Sequence, residues 1–177
     1  LRVAEALLAE AAGQGASVAL LPENFAFMGR RDADKRGIAE PDGSGPIQDC
    51  LARVAAQHRL FVIAGTMPLR SDSADGRVHN TTLVYDAAGR RVARYDKIHL
   101  FDVDVPGRAE AYRESAHVAP GREIRVIPSP AGLVGLSVCY DLRFPELYRA
   151  LVARGAEVLV VPSAFTVPTG RAHWEPL

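Results

Sequence analysis

The stretch Leu133-Val134-Gly135-Leu136-Ser137-Val138-Cys139-Tyr140-Asp141-Leu142-Arg143-Phe144-Pro145-Glu146-Leu147 decides how the chain is read. An apolar run of strand character ends abruptly at Cys139, and a helical pattern over 144–154 begins a few residues later, closing at Gly155. Such a strand-to-helix elbow lifts a thiol out of the core and sets it beside free backbone N–H groups at a helix start.

Outward from the elbow, apolar strands alternate with amphipathic helices. Towards the C-terminus, Glu157 to Val161 reads as a last strand and 162–177 as loop. Towards the N-terminus, Glu123 to Ile127 and Leu133 to Val138 form strands around an Ala131-Gly132 turn, and 98–122 is a long irregular stretch. Loops of that length in compact domains are often functional. Asn80 to Tyr85 and Arg91 to Tyr95 form a hairpin around Asp86-Ala87-Ala88-Gly89. Leu60 to Thr66 reads as a buried strand, followed by a polar turn over 71–77. Residues 46–59 form a helix with Pro46 in its first turn, and 28–45 a polar loop. Val18-Ala19-Leu20-Leu21 is a short strand stopped by Pro22, and 2–13 a first helix ending at Gly13. Alternating helices and strands predict an α/β fold, and the hairpin makes the sheet mixed.

With 177 residues, 48% of them apolar, one domain with a sizeable core is expected. Lys plus Arg equals Asp plus Glu at 21 each, and the basic residues are scattered, with only the pairs Arg30-Arg31 and Arg90-Arg91. Nothing there favours nucleic acid or an anionic membrane as partner. No apolar run approaches the roughly 18 residues of a membrane span. Two cysteines make no disulfide framework, so a reduced, cytoplasmic setting is expected. Five histidines and two cysteines show no ligand spacing, so no metal site is expected. The chain opens at Leu1 inside a helical pattern and stops at Leu177 without a closing element. Residues 1–177 are therefore expected to be one domain, incomplete at both ends.

Glu23, Lys97 and Cys139 each follow a strand, and the carboxyl ends of strands are where α/β sheets bind ligands. A free thiol has a pKa of about 8.5 and needs a base or a cation nearby to react at neutral pH. Glu23 can take its proton and later activate water. Lys97 can stabilise the oxyanion of a tetrahedral intermediate, and the N–H of Tyr140 is a natural second donor. Taken alone, Cys139 also reads as a small core residue, and Glu23 and Lys97 as solvated charges.

Four strings add to that reading. Leu21-Pro22-Glu23-Asn24, Tyr95-Asp96-Lys97-Ile98-His99-Leu100-Phe101-Asp102 and Val138-Cys139-Tyr140-Asp141-Leu142-Arg143-Phe144-Pro145-Glu146 occur in that order. They are followed by Pro162-Ser163-Ala164-Phe165-Thr166 with Gly170-Arg171-Ala172-His173-Trp174-Glu175. Together they resemble the nitrilase, or carbon–nitrogen hydrolase, superfamily. The resemblance implies an αββα sandwich in which Glu23 is the base, Lys97 stabilises the tetrahedral intermediate and Cys139 is the nucleophile. It implies hydrolysis of an amide or nitrile through a thioester, with no metal or organic cofactor. It also implies a second glutamate in the loop after the lysine, for which Glu114 is the candidate and Glu110 the competitor. The strings look most like the Nit branch of ω-amidases and deaminated-glutathione amidases, which implies a small carboxylate-bearing amide. Tyr140 stands where nitrilases usually carry tryptophan, favouring an amide over a nitrile. Family members commonly form homodimers or higher homo-oligomers.

Further residues fill out the expected site. Tyr140 and Arg143 flank the nucleophile; Arg143 suits a substrate carboxylate, or ties Asp141 or another acid into the scaffold. Phe165 and Thr166, and less so Tyr112 and Arg113, are expected to line the pocket. His99 reads as a hydrogen-bonded structural residue, Trp174 as packing, and Cys50 as helix core.

Overall fold

The computed structural model describes residues 1–72, 75–104 and 111–177. Helices α1 (Arg2–Gly13) and α2 (Pro46–His58) lie side by side. Pro46 opens α2, and the buried Glu40 carboxylate accepts the N–H groups of Ile47 and Gln48, capping the helix from outside its own sequence.

The larger sheet holds β1 (Val18–Leu20), β2 (Phe61–Ile63), β3 (Met67–Arg70), β4 (Val78–Tyr85) and β5 (Arg91–Asp96). β1 runs parallel to β2; β2, β3 and β5 run antiparallel to β4. β2 and β3 lie along one edge of β4, and β5 along the other. The predicted single strand Leu60 to Thr66 is therefore shorter than expected and resumes as β3, a strand the sequence reading left out. The break falls at Gly65 (φ 47°), where a Cβ would run into the carbonyl oxygens of Leu21 and Pro22. Only glycine lets the exit of β1 pass this close.

The smaller sheet has the order β10 (Val158–Val160), β9 (Gly132–Leu136), β8 (Val126–Ser129). β8 starts three residues later than predicted. Strand parity sorts the core into layers. Leu60, Val62, Leu83 and Tyr85 pack with Leu8, Leu51 and Val54 of the helices. Their neighbours Phe61, Ile63, Val84 and Tyr95 face the other way, onto Ile127, Val134, Leu136 and Val138 of the smaller sheet. Gly135, between Val134 and Leu136, points outward, where a Cβ would meet Leu151 of α3 (Pro145–Ala153). The layers are thus helices, sheet, sheet, helix, and the fold is α/β with mixed sheets.

Three loops expected from composition carry structure. A 3-10 helix spans Asp32–Ile38 inside the predicted loop 28–45. The stretch 98–122 contains β6 (Asp102–Asp104) paired with β7 (Ala111–Arg113), then a 3-10 turn over Glu114–Ala116. The terminal stretch contains α4 (Val167–His173), where Thr166 accepts the Thr169 N–H as N-cap. No helix among the described residues is long and apolar enough to cross a membrane.

Candidate active site

Glu23 is delivered by the crossing at Gly65. Leu21 N–H donates to Ile63 O, Thr66 N–H to Pro22 O, and Asn24 N–H to Thr66 Oγ1, so the chain either side of Glu23 is pinned to the β2–β3 break. Lys97 follows β5, and its N–H donates to Asn80 O, which prolongs the β4–β5 ladder by one pair. Cys139 sits at φ 47°, a left-handed conformation costly for a residue with a Cβ, and its N–H donates to Pro162 O beyond β10. The 3-10 turn Cys139–Arg143 links this elbow to α3, so helix proper starts at Pro145 rather than beside the thiol.

These elements bring Glu23, Lys97, Glu114 and Cys139 to the floor of one cleft of about 360 Å³. Glu23 and Lys97 are not solvated strand-end charges: they are 5% and 2% exposed. Lys97 Nζ lies 3.1 Å from Glu23 Oε1 and 2.9 Å from Glu114 Oε2. Backbone donors hold both carboxylates further: Ala164 N–H donates to the other Glu23 oxygen, Oε2 (2.9 Å), and Phe101 N–H to the same Glu114 Oε2 (2.7 Å). Glu110 lies outside the described residues.

Burial strips water from the thiol and pushes Cys139 up to about 12. The Glu23 carboxylate raises it further by charge and by accepting its hydrogen bond, while Lys97 and the Ala164 N–H oppose the rise. For Lys97, burial disfavours the ammonium, but Glu23, Glu114 and Cys139 together outweigh it, so its pKa is raised and it stays charged. The resting site therefore holds a protonated thiol next to an ammonium shared by two carboxylates.

Tyr140, Arg143, Phe165 and Thr166 all line the cleft, as does Tyr112. Arg143 does not hold Asp141; its guanidinium lies 5.8 Å from the centre of the Tyr140 ring. Arg113 pairs instead with Asp104 on the neighbouring strand. His99 binds Asp141 and stacks on Phe144 at 3.7 Å. Trp174 packs edge-on against Phe165. Cys50, expected in the core, is half-buried between α1 and α2 with its thiol on Glu5. The sequence reading missed Asn80, Phe101, Lys35 and Arg30. Asn80 and its threonine neighbours form a buried polar run inside an otherwise apolar strand, which is a readable sign of a site facing it.

Residues 1–177 match the carbon–nitrogen hydrolase family. The deaminated glutathione amidase of Yersinia enterocolitica is 42% identical over 161 residues, covering 91% of this chain and 56% of its own length. The omega-amidase of Homo sapiens is 38% identical over 167 residues, covering 94% of this chain and 58% of its own. The solved structure of the C. elegans NitFhit protein superposes with a TM-score of 0.88 at 34% identity, over 99% of this chain and 42% of that one. The chain thus spans little more than half the length of these two curated relatives. Two facing sheets between helix layers, a cysteine on a left-handed elbow and these likenesses agree: the chain belongs to the carbon–nitrogen hydrolase family.

Proposed function

We propose that the whole protein is a thiol amidohydrolase that cleaves the terminal amide of a small carboxylate-bearing compound through a thioester on Cys139. The observation that carries this reading is a buried carboxylate, Glu23, paired at 3.1 Å with a buried ammonium, Lys97, in the same cleft as the Cys139 thiol.

The thiol is protonated at rest, so proton transfer and attack go together. Glu23 takes the proton as Cys139 Sγ bonds to the amide carbon, and the carbonyl π pair moves onto oxygen. An ammonium has three donors. One is directed at Glu23 and one is shared between the two oxygens of Glu114, which leaves the third for the oxyanion, beside the Tyr140 N–H. Glu23 passes its proton to the leaving nitrogen, the C–N bond breaks, and ammonia departs from the thioester. Water then loses a proton to Glu23 and adds to the thioester carbon. Collapse releases the acid, and the proton returns to sulfur. The sum is amide plus water giving acid plus ammonia.

The substrate class is supported by Arg30, Arg31, Lys35 and Arg143, four cationic side chains on the cleft wall that suit a substrate carboxylate. The names of the relatives, deaminated glutathione amidase and omega-amidase, agree with it. The whole protein is further read as a cytoplasmic homodimer or higher homo-oligomer; a monomeric mass by light scattering at micromolar concentration overturns the oligomer. Ammonia release from a panel of ω-amides, nitriles and carbamoyl compounds tests the reaction, with Cys139→Ala as control. Release from carboxylate-bearing amides that vanishes in the variant is expected. Release confined to nitriles or carbamoyl compounds would reassign the substrate, and undiminished release by the variant would remove Cys139 from the chemistry.

A further inference from the structure

Asn80 is 4% exposed, and its side-chain Nδ2 lies 3.1 Å from Glu23 Oε1 and 3.3 Å from Glu114 Oε1. Those are the two carboxylates that Lys97 also bonds, so Glu23, Lys97, Glu114 and Asn80 form a closed ring with donors and acceptors alternating. The amide orientation follows from chemistry: two carboxylates only accept, so the NH2 end must face them. The ring is anchored by the sheet. Asn80 and Lys97 are cross-strand neighbours, joined by the bond from Lys97 N–H to Asn80 O, and their side chains therefore share a face.

Two carboxylates on one ammonium are a net negative pair, and carboxylates brought this close share a proton unless donors hold each as an anion. The primary amide has two N–H donors and can give one to each. We propose that Asn80 is a positioning residue that keeps Glu23 and Glu114 as two separate anions, so that Glu23 is free to accept the thiol proton. This rests on the reading of Glu23 as the base.

The titratable and charged groups around the pair come from several elements. Lys97 follows β5, Cys139 sits on the elbow, Arg30 and Arg31 precede the 3-10 helix Asp32–Ile38, and Lys35 lies within it. Tyr112, Tyr140 and Arg143 complete the wall. The arginines keep their charge throughout, so they offset the pair's field without titrating with it.

Asn80→Ala and Asn80→Asp in the whole protein, assayed for ammonia release across pH 4–10, test the proposal. Removing a neutral donor to charged partners is expected to lower kcat about 10- to 100-fold, with KM changed far less. Asn80→Asp adds a third carboxylate of nearly the same shape, and the acidic limb of its kcat profile should move up by about one pH unit. Circular dichroism and melting curves identify the folded variants. If a folded Asn80→Asp keeps the wild-type profile, the proposal is overturned, whether or not Asn80→Ala folds. Alkylation of Cys139 by iodoacetamide reads the thiolate that Glu23 holds back and needs no amide substrate, so it reports on Asn80 even if the wild type hydrolyses nothing in the panel. In that case a shifted pH profile of alkylation upholds Asn80 while the amidase reading fails, and an unchanged profile in both variants rejects the role of Asn80.

Discussion

The Asp141 carboxylate is wholly buried beneath the Cys139 elbow and binds His99 twice, at the ring Nδ1 (2.7 Å) and at the backbone nitrogen (2.9 Å). Its other oxygen accepts the Tyr95 hydroxyl (2.6 Å) and the Val138 N–H (2.9 Å). His99 is two residues beyond Lys97, and Asp141 two beyond Cys139. One carboxylate therefore fixes the strand end that carries the lysine to the turn that carries the thiol.

Replacing Asp141 with alanine strands several buried donors, each costing about 1–3 kcal/mol. We expect Asp141→Ala to lose about 3 kcal/mol or more in urea unfolding, and Tyr95→Phe, which removes one donor, about 1 kcal/mol. Equal losses from the two would show that the carboxylate is not the hub.

The thiol and its neighbour give a pair of opposite effects. Burial holds Cys139 protonated, and the charge and hydrogen bond of Glu23 add to that. Glu23→Gln removes both of Glu23's contributions, so the thiolate absorbance near 240 nm should appear at lower pH than in the wild type. Amide turnover should nonetheless fall by about 100- to 10,000-fold, the usual contribution of a general base. A variant whose thiolate appears at higher pH contradicts the assignment.

Gly65 is far in sequence from Cys139 and contributes no side chain, yet it sets the position of Glu23. Gly65→Ala places a Cβ against the Leu21 and Pro22 carbonyls at a positive φ. It is expected to cost about 1–3 kcal/mol of stability and to lower kcat in the fraction that folds. Unchanged kcat per titrated thiol would mean that the crossing does not hold the base.

The proposed carboxylate recognition by Arg143 can be tested apart from the chemistry. Arg143→Gln should raise KM for carboxylate-bearing amides about tenfold or more, as expected for a lost charged hydrogen bond. For a neutral primary amide it should change little. A uniform fall in kcat for both would place Arg143 in the scaffold.

The elbow, both large helices and the β4–β5 hairpin are legible in the sequence, because each joins a clear hydrophobic period to a strong stop such as Gly13, Pro22 or Gly89. β3 is hidden by Pro68, which reads against a strand; it is tolerated because the Pro68 carbonyl takes the Glu40 N–H while its neighbours pair with β4. β6 and β7 are three residues each, with Asp102 and Arg113 at paired positions and no apolar alternation to reveal them. α4 is seven residues containing both Pro168 and Gly170, and only the Thr166 cap marks it. Glu23, Lys97 and Cys139 stand out because each ends an apolar run. Asn80 and Asp141 matter through partners many residues away, and no local pattern encodes those partners.

The proposed reaction requires a covalent acyl group on Cys139. The most direct test mixes the whole protein with a hydrolysed amide, quenches in acid within one turnover and weighs the protein and its peptides. A mass gain equal to the acyl group is expected on the peptide carrying Cys139, removed by hydroxylamine and absent in Cys139→Ala. Turnover without any such adduct, in a quench fast enough to capture the first turnover, would contradict it.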